Sequence, residues 1–246
     1  EVARSAPDGC VLLLSSASTM AANPAINPDT SYDPVQDFEH ISTLAATPTV
    51  MAVHPSFPAA DYGSFVATLR ENPGRCSYGT AGTGSIAHVL VELYKSMAGA
   101  HAIHVPYRGS GPALNDAVAG QLPIVVDNLP SALPFINDGR LVPIVVSAPQ
   151  RLDSLPDVPT FADLGLEPVN RMSFLGLSAP KGTPRRLVEA INAAVKSALS
   201  DTHVRARMEA TGAIVAGSSA QEYQQQVSDE LSIYRHAVRA QGLKPN

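Results

Sequence analysis

The 246-residue chain has no tryptophan, two cysteines and a charged fraction of only 16%. Cys10 and Cys76 cannot frame a metal site; each stands in an apolar, strand-like run, so both are expected to be buried, unpaired thiols. A paired Cys-x-x-Cys, an H-E-x-x-H and an acidic cluster are all missing, which leaves no basis for a metal or a cofactor. No apolar run reaches the ~18 residues of a membrane span, so membrane insertion is not expected. The amino terminus lacks the basic segment and apolar stretch of a secretion signal, and the sequence itself carries no address. Basic charge is scarce too: 17 Lys and Arg face 22 Asp and Glu, a net charge of -5, with no basic stripe to neutralise nucleic-acid phosphates.

What the chain does have is 45% hydrophobic residues and 21 prolines, enough for one large domain or two smaller lobes joined by punctuated connections. Apolar runs at Cys10–Ser15 and Ile41–Val53 read as strands, the second broken by Pro48, which predicts a bend or crossover. Asp61 is placed to cap a helix carrying Phe65, Val66 and Leu69 that stops at Asn72-Pro73-Gly74. After a short strand at Cys76–Tyr78, Ser85 caps a helix with Ile86, Val89, Leu90, Leu93, Tyr94 and Met97 on one face and Gly99 at its end. Extended and helical stretches then alternate: His101–Val105, Pro112–Ala119, Leu122–Val126, Leu129–Asn137 and Leu141–Ser147. Such alternation predicts a largely parallel, helix-covered sheet. Beyond the turn-rich Leu155–Thr160, a strand at Phe174–Ser178 precedes a helical region. There Thr183 caps and Pro184 opens one helix to about Leu199, a second stops at Thr211, and the capping box Ser219-Ala220-Gln221-Glu222 starts a last helix that ends before Gly242.

The segment YGTAGTGSIAH, Tyr78 to His88, sets three glycines between an apolar run and a helix start. Free N–H groups and the positive end of a helix dipole suit an anion there. Phosphate is disfavoured: the glycines at 79, 82 and 84 fit neither the P-loop, which needs Lys-Ser/Thr after its last glycine, nor G-x-G-x-x-G. A carboxylate remains, through the N–H groups of about Gly82 to Ser85 and the hydroxyls of Thr80, Thr83 and Ser85. Read without other context, the same segment is also a tight strand-to-helix turn.

Seven stretches, taken in order, resemble the Bug/TctC family, the extracytoplasmic solute receptors of tripartite tricarboxylate transporters. They are Pro7-Asp8-Gly9 before LLLSS, Tyr32-Asp33-Pro34-Val35-Gln36-Asp37-Phe38, Tyr78 to His88, His104-Val105-Pro106-Tyr107-Arg108-Gly109, Asp127-Asn128-Leu129-Pro130-Ser131-Ala132, Leu155 to Thr160, and Ala179-Pro180-Lys181-Gly182-Thr183-Pro184. The resemblance implies an α/β, two-lobed periplasmic-binding-protein fold (type II, Venus-flytrap) with two crossover strands at Leu44–Val50 and Asn170–Phe174. Lobe I would comprise residues 1–46 and 171–246, lobe II residues 47–170. It further implies a periplasmic protein that closes on a small organic carboxylate (a dicarboxylate, tricarboxylate, acidic amino acid or aromatic acid) and delivers it to membrane permease subunits. Family members begin with a strand, a Gly-Gly loop, a helix and a second strand ahead of the segment matching Ser5–Gly9. That portion, which the resemblance implies supplies half of the carboxylate clamp, is not in this sequence.

The expected ligand-binding residues are Tyr78, Thr80, Ala81, Gly82, Thr83, Gly84, Ser85, His88, Arg108, Asp127, Ser15, Ser16 and Thr19. Tyr78 would wall the pocket. His88, in the first turn of a helix, either touches ligand or is a structural histidine. Arg108 either faces an acid with its planar fork or is solvated. Asp127, at a strand's carboxyl end, contacts ligand directly or through water, caps the helix after it, or does both. Ser15, Ser16 and Thr19 would line the lobe I side of the cleft, or cap a helix. Two other functions are weighed. Ser85, His88 and Asp127 could form a hydrolase triad, but without the G-x-S-x-G elbow and with Ser85 spent as a cap. A clamp-deficient interaction or signalling protein, without ligand uptake, is the stronger alternative to the receptor.

Overall fold

The computed structural model describes residues 1–241, so the expected helix stop at Gly242 lies outside the described residues. The described chain forms two compact units, the first from Glu1–Thr47 together with residues 173–241, the second from Pro48–Met172.

In the first unit β1 (Leu13–Ser16) is shorter than the run that suggested it. Cys10 precedes it in an exposed bend, its N–H donating to Asp8 Oδ1 at 2.9 Å, so this thiol is not buried as expected. Asp8 has bent the backbone by the local side-chain bonding that favours turns over strands. A π-helical turn at Ser18–Ala22 runs into α1 (Asn23–Ile26) and buries Met20, Ala21, Ala22 and Ile26. β2 (Phe38–Thr47) then ends at Pro48, and β3 (Thr49–Val53) begins beyond it. The break expected at Pro48 divides the Ile41–Val53 run into two strands, one in each unit, at the residue that cannot donate to a ladder.

The second unit adds α2 (Tyr62–Glu71), opened by a reciprocal Asp61/Ser64 capping box, β4 (Ser77–Thr80) and α3 (Ile86–Ala98), which runs from the Ser85 cap to left-handed Gly99. β5 (Ile103–Pro106), α4 (Ser110–Val118), β6 (Ile124–Asn128), α5 (Leu129–Asn137) and β7 (Val142–Ser147) complete it. The strand order is β5-β4-β6-β3-β7. β4 is parallel to β5 and β6, but β3 is antiparallel to β6 and β7, so the sheet is mixed where a largely parallel one was expected. No crossover helix precedes β3. It enters through Pro48 with Thr49 opposite Asn128, at the carboxyl end of β6, and can only run back along it. Val50, Ala52, Ala113, Leu114, Val125, Leu129 and Leu133 fill the core between this sheet and α4 and α5. Each large side chain buried there contributes about 1.5–3 kcal/mol.

The chain returns to the first unit as β8 (Ser173–Pro180), α6 (Arg185–Ser200), α7 (Thr202–Glu209), β9 (Ile214–Val215) and α8 (Ala220–Gln241). Its sheet, in the order β1-β8-β2-β9, is antiparallel throughout, and Thr47 pairs directly with Ser173. Thr183 does not cap α6: Pro184 occupies the cap position, and the Thr183 hydroxyl donates to Pro180 O at 2.8 Å. Ser219 and Glu222 do form the expected box at the start of α8. Tyr223 from this helix lies over Gly176 of β8, where a Cβ would meet its ring at 2.2 Å. The Tyr223 hydroxyl is 2.7 Å from Ser15 Oγ, and Ser15 donates to Gly176 O at 3.0 Å. His40, also buried, has Pro34 O 3.1 Å from Nε2, which fixes that nitrogen as donor and leaves Nδ1 to accept from Ser178 at 3.2 Å.

Two outcomes follow. A thiol reagent should label Cys10 in the folded protein and reach Cys76 only on unfolding, with two thiols titrating in denaturant without reductant; fewer than two would contradict the free pair. Burial holds the His40 pKa down to about 4. The unfolded chain therefore takes up a proton that the native state refuses as pH falls from about 6.5 toward 4. His40 alone should account for a loss of up to about 3 kcal/mol of stability across that window. Urea midpoints measured from pH 7.5 to 4 test this, and His40→Gln should flatten the slope.

Candidate functional site

Three strand-to-helix junctions meet at the carboxyl edge of β5, β4 and β6, where α4, α3 and α5 begin. The close approach that permits this is at Gly79, where a Cβ would lie 2.3 Å from Leu122 Cδ2. Beyond it, Gly82 and Gly84 adopt positive φ values of 137° and 77°, open to glycine and strained for other residues.

The Thr80–Ser85 loop is held by its own hydrogen bonds. Thr80 Oγ1 accepts from Gly82 N–H at 3.2 Å and lies 2.8 Å from His104 Nε2. Ser85 N–H donates to Gly82 O at 3.1 Å, and Gly84 N–H donates to His88 Nδ1 at 3.3 Å. The N–H groups of Gly82, Gly84 and Ser85, expected to stand open for an anion, thus have acceptors inside the segment. Ser85 Oγ accepts from His88 N–H at 3.3 Å and retains its own O–H to donate; the positive end of α3 adds to it.

Tyr78 and His88 lie in a stack packed against this loop. His88 and His104 have ring centroids 4.1 Å apart and nearly parallel planes, and Tyr78 stacks on His104 at 5.0 Å. Tyr78 is buried and its hydroxyl donates to Glu92, which also holds Lys95, so the residue is a core member instead of a pocket wall. Burial, then the neighbouring His88, holds His104 at about 4, and burial lowers His88; both rings are neutral at neutral pH.

Tyr107 N–H donates to Thr80 O at 3.2 Å and Gly109 N–H to Ala81 O at 3.0 Å, which ties the β5–α4 connection to the loop. Arg108, between them, is exposed and has no ion-pair partner among the described residues. Ser110 Oγ donates to Asp127 Oδ1 at 2.9 Å, and Asn128 N–H donates to the same oxygen at 2.7 Å. Asp127 is 4% exposed; burial raises its pKa above the ordinary carboxylate range, opposed by these two donors. Its Oδ2, with Asn128 Oδ1 and Thr49 Oγ1, is buried without a hydrogen-bond partner among the described residues.

Ser15, Ser16 and Thr19 belong to the first unit. Ser15 is wholly buried in the Tyr223 network, and Ser16 and Thr19 bond one another, Ser16 N–H donating to Thr19 Oγ1 at 3.0 Å and Thr19 Oγ1 to Ser16 O at 3.1 Å. The hydrolase triad is not assembled: Asp127 bonds Ser110 and Asn128, while His88 Nδ1 takes the Gly84 N–H. Sequence reading missed His104, Ser110 and Asn128. His104 and Asn128 sit inside motifs quoted for other residues, and Ser110 directly follows one, where a hydroxyl next to Gly109 at a helix start was a usable signal. Among the described residues no group of His, Cys, Asp and Glu is arranged to hold a metal ion, and no helix is long and apolar enough to cross a membrane.

Two α/β units, with the chain passing twice between them, define the class of periplasmic binding proteins. A solved structure described as a periplasmic transporter superposes with a TM-score of 0.95 at 40% identity, over 99% of this chain and 81% of that one. Rhodopseudomonas palustris MatC with bound malate gives 0.89 at 31% identity, over 96% and 82%. R. palustris Rpa4515 with adipate gives 0.94 at 29%, over 100% and 82%. The chain belongs to the tripartite tricarboxylate transporter family receptors (TctC), whose family model matches residues 1–243. BugT of Bordetella pertussis is 30% identical over 98% of this chain, which spans 74% of BugT and 65% of a further relative from a Pseudomonas species.

Ser110→Ala would leave Asp127 with one donor inside the fold. A loss of about 2 kcal/mol in urea unfolding is expected; no change would mean that water replaces the hydroxyl at no cost.

Proposed function

We propose that this protein is a periplasmic solute receptor that takes up a small organic carboxylate and passes it to the permease subunits of a tripartite tricarboxylate transporter. The observation that carries this reading is the convergence of three helix starts and the Thr80–Ser85 loop at one sheet edge, in a chain whose structural relatives hold adipate and malate. Recognition would rest on partial charges and hydroxyls. The Ser85 O–H and the start of α3 face a carboxylate, the Thr83 hydroxyl flanks it, the buried Thr80 hydroxyl holds the loop through Gly82 and His104, and Arg108 supplies an exposed counter-charge on the adjoining loop. The backbone of Ala81, Gly82 and Gly84 shapes the cradle, and Tyr78 and His88 hold it from behind. Ser15, Ser16 and Thr19 act in this reading through the first unit's sheet and its first helical turn. A site built from dipoles more than from full charges binds an acid without trapping it, as a receptor that must release its cargo requires. No covalent bond is made or broken.

The internal bonding of Gly82, Gly84 and Ser85 gives the interaction-protein reading its one specific support, because a loop satisfied in itself needs no anion. Ligand-dependent stabilisation separates the two. An acid present at about 100 times its Kd should stabilise the protein by about 2.7 kcal/mol in calorimetric or fluorescence melts, and the matching amide should not. A broad panel of dicarboxylates, tricarboxylates, acidic amino acids and aromatic acids giving no shift would defeat the receptor and leave the interaction protein.

A further inference from the structure

We infer that Asp127, through Oδ2, forms an acceptor subsite at the carboxyl end of β6, and that it selects carboxylic acids carrying a hydroxyl or ammonium donor over unsubstituted acids. This rests on the receptor reading above and adds to it the class of ligand.

The unequal use of the Asp127 carboxylate carries the inference. Oδ1 takes two donors, the Ser110 hydroxyl and the Asn128 N–H, while Oδ2 of the same buried group takes none. A buried carboxylate oxygen left without a donor is costly, and native structures rarely keep one without a reason. Asn128 Oδ1 is in the same condition one residue on. Successive strand residues face opposite sides of a sheet, so the two oxygens flank the end of β6, against Val50 and Thr49 of β3 respectively.

This end belongs to the same edge as the loop. Ser110, which holds Asp127, is the first residue of α4, and Gly109 before it donates to Ala81 O. An acid seated at Thr80–Ser85 therefore lies next to an acceptor, Asp127 Oδ2, that its own carboxylate cannot satisfy, since like a carboxylate side chain it is acceptor-only and negatively charged. No lysine, arginine or histidine is bonded to Asp127 among the described residues. A donor on the ligand meets the need. An unsubstituted acid either displaces water from Oδ2 and leaves it unpaired or must retain that water, and loses affinity by comparison.

The test compares acids matched in length: succinate with malate and aspartate, and adipate with 2-hydroxyadipate and 2-aminoadipate, by titration calorimetry on the wild type and on Asp127→Asn. The hydroxy or amino acid should bind at least about tenfold more tightly than its unsubstituted partner in the wild type, as one charge-assisted hydrogen bond allows. The hydroxy and amino arms show which donor is used. Asp127→Asn, which puts a donor or a neutral acceptor at that point and removes a like charge, should erase the preference, the unsubstituted acids gaining on their hydroxy and amino partners. Unsubstituted acids binding as well as their partners in the wild type would overturn the inference and leave the receptor reading intact. Uniform loss for every acid in a folded Asp127→Asn would make the residue structural and overturn it too. Should the variant fail to fold, the wild-type comparison decides alone; binding of no acid at all would remove the receptor reading and this inference with it.

Discussion

The carboxyl edge of the second unit depends on how closely β4 runs beneath its neighbours. Leu122 and Tyr107 pack where Gly79 has no side chain, the leucine so near that one added carbon would displace it. That contact lets the β5–α4 connection lie against β4, and from it come the bonds from Tyr107 N–H to Thr80 O and Gly109 N–H to Ala81 O. With those in place the start of α4 is fixed, so Ser110 reaches Asp127. Remove the close approach and the β5–α4 connection loses its seat against β4.

Much of this was legible in the sequence because the signals are local. Asp61, Ser85 and the Ser219 box announce helix starts through bonds to residues two to four positions on, and Pro48 announces a break because it has no N–H. The direction of β3 was not legible. Alternating strands and helices look the same whether or not one strand arrives from another unit, and only the missing helix before Thr49 distinguishes the cases. Cys10 was misplaced for a similar reason: the apolar residues after it suggested a strand that Asp8 bends away from.

At the candidate site the sequence located the loop but not its internal state. A glycine-rich turn before a helix reads as a set of vacant donors, yet His88 lies four residues from Gly84, one helical turn on, and takes up the N–H that the pattern leaves open. The neutrality of the stacked histidines is also a tertiary fact. His104 comes from β5, and nothing near it in the chain shows that it will lie 4.1 Å from His88 and be kept uncharged by burial.

The pairing of Thr47 with Ser173 places the whole second unit between two neighbouring residues of the first unit's sheet. In polymer terms the first unit is a closed ring whose tether is the second. While that tether is unfolded, joining its ends costs on the order of 4 kcal/mol of chain entropy for a segment of this length; once it has folded, much of that cost has already been met. The stabilities of the two units are therefore coupled unequally. The inserted unit has every strand of its sheet in one continuous stretch and closes its own core without help, whereas the outer sheet draws on both flanks of the insertion and inherits any loss of order within it.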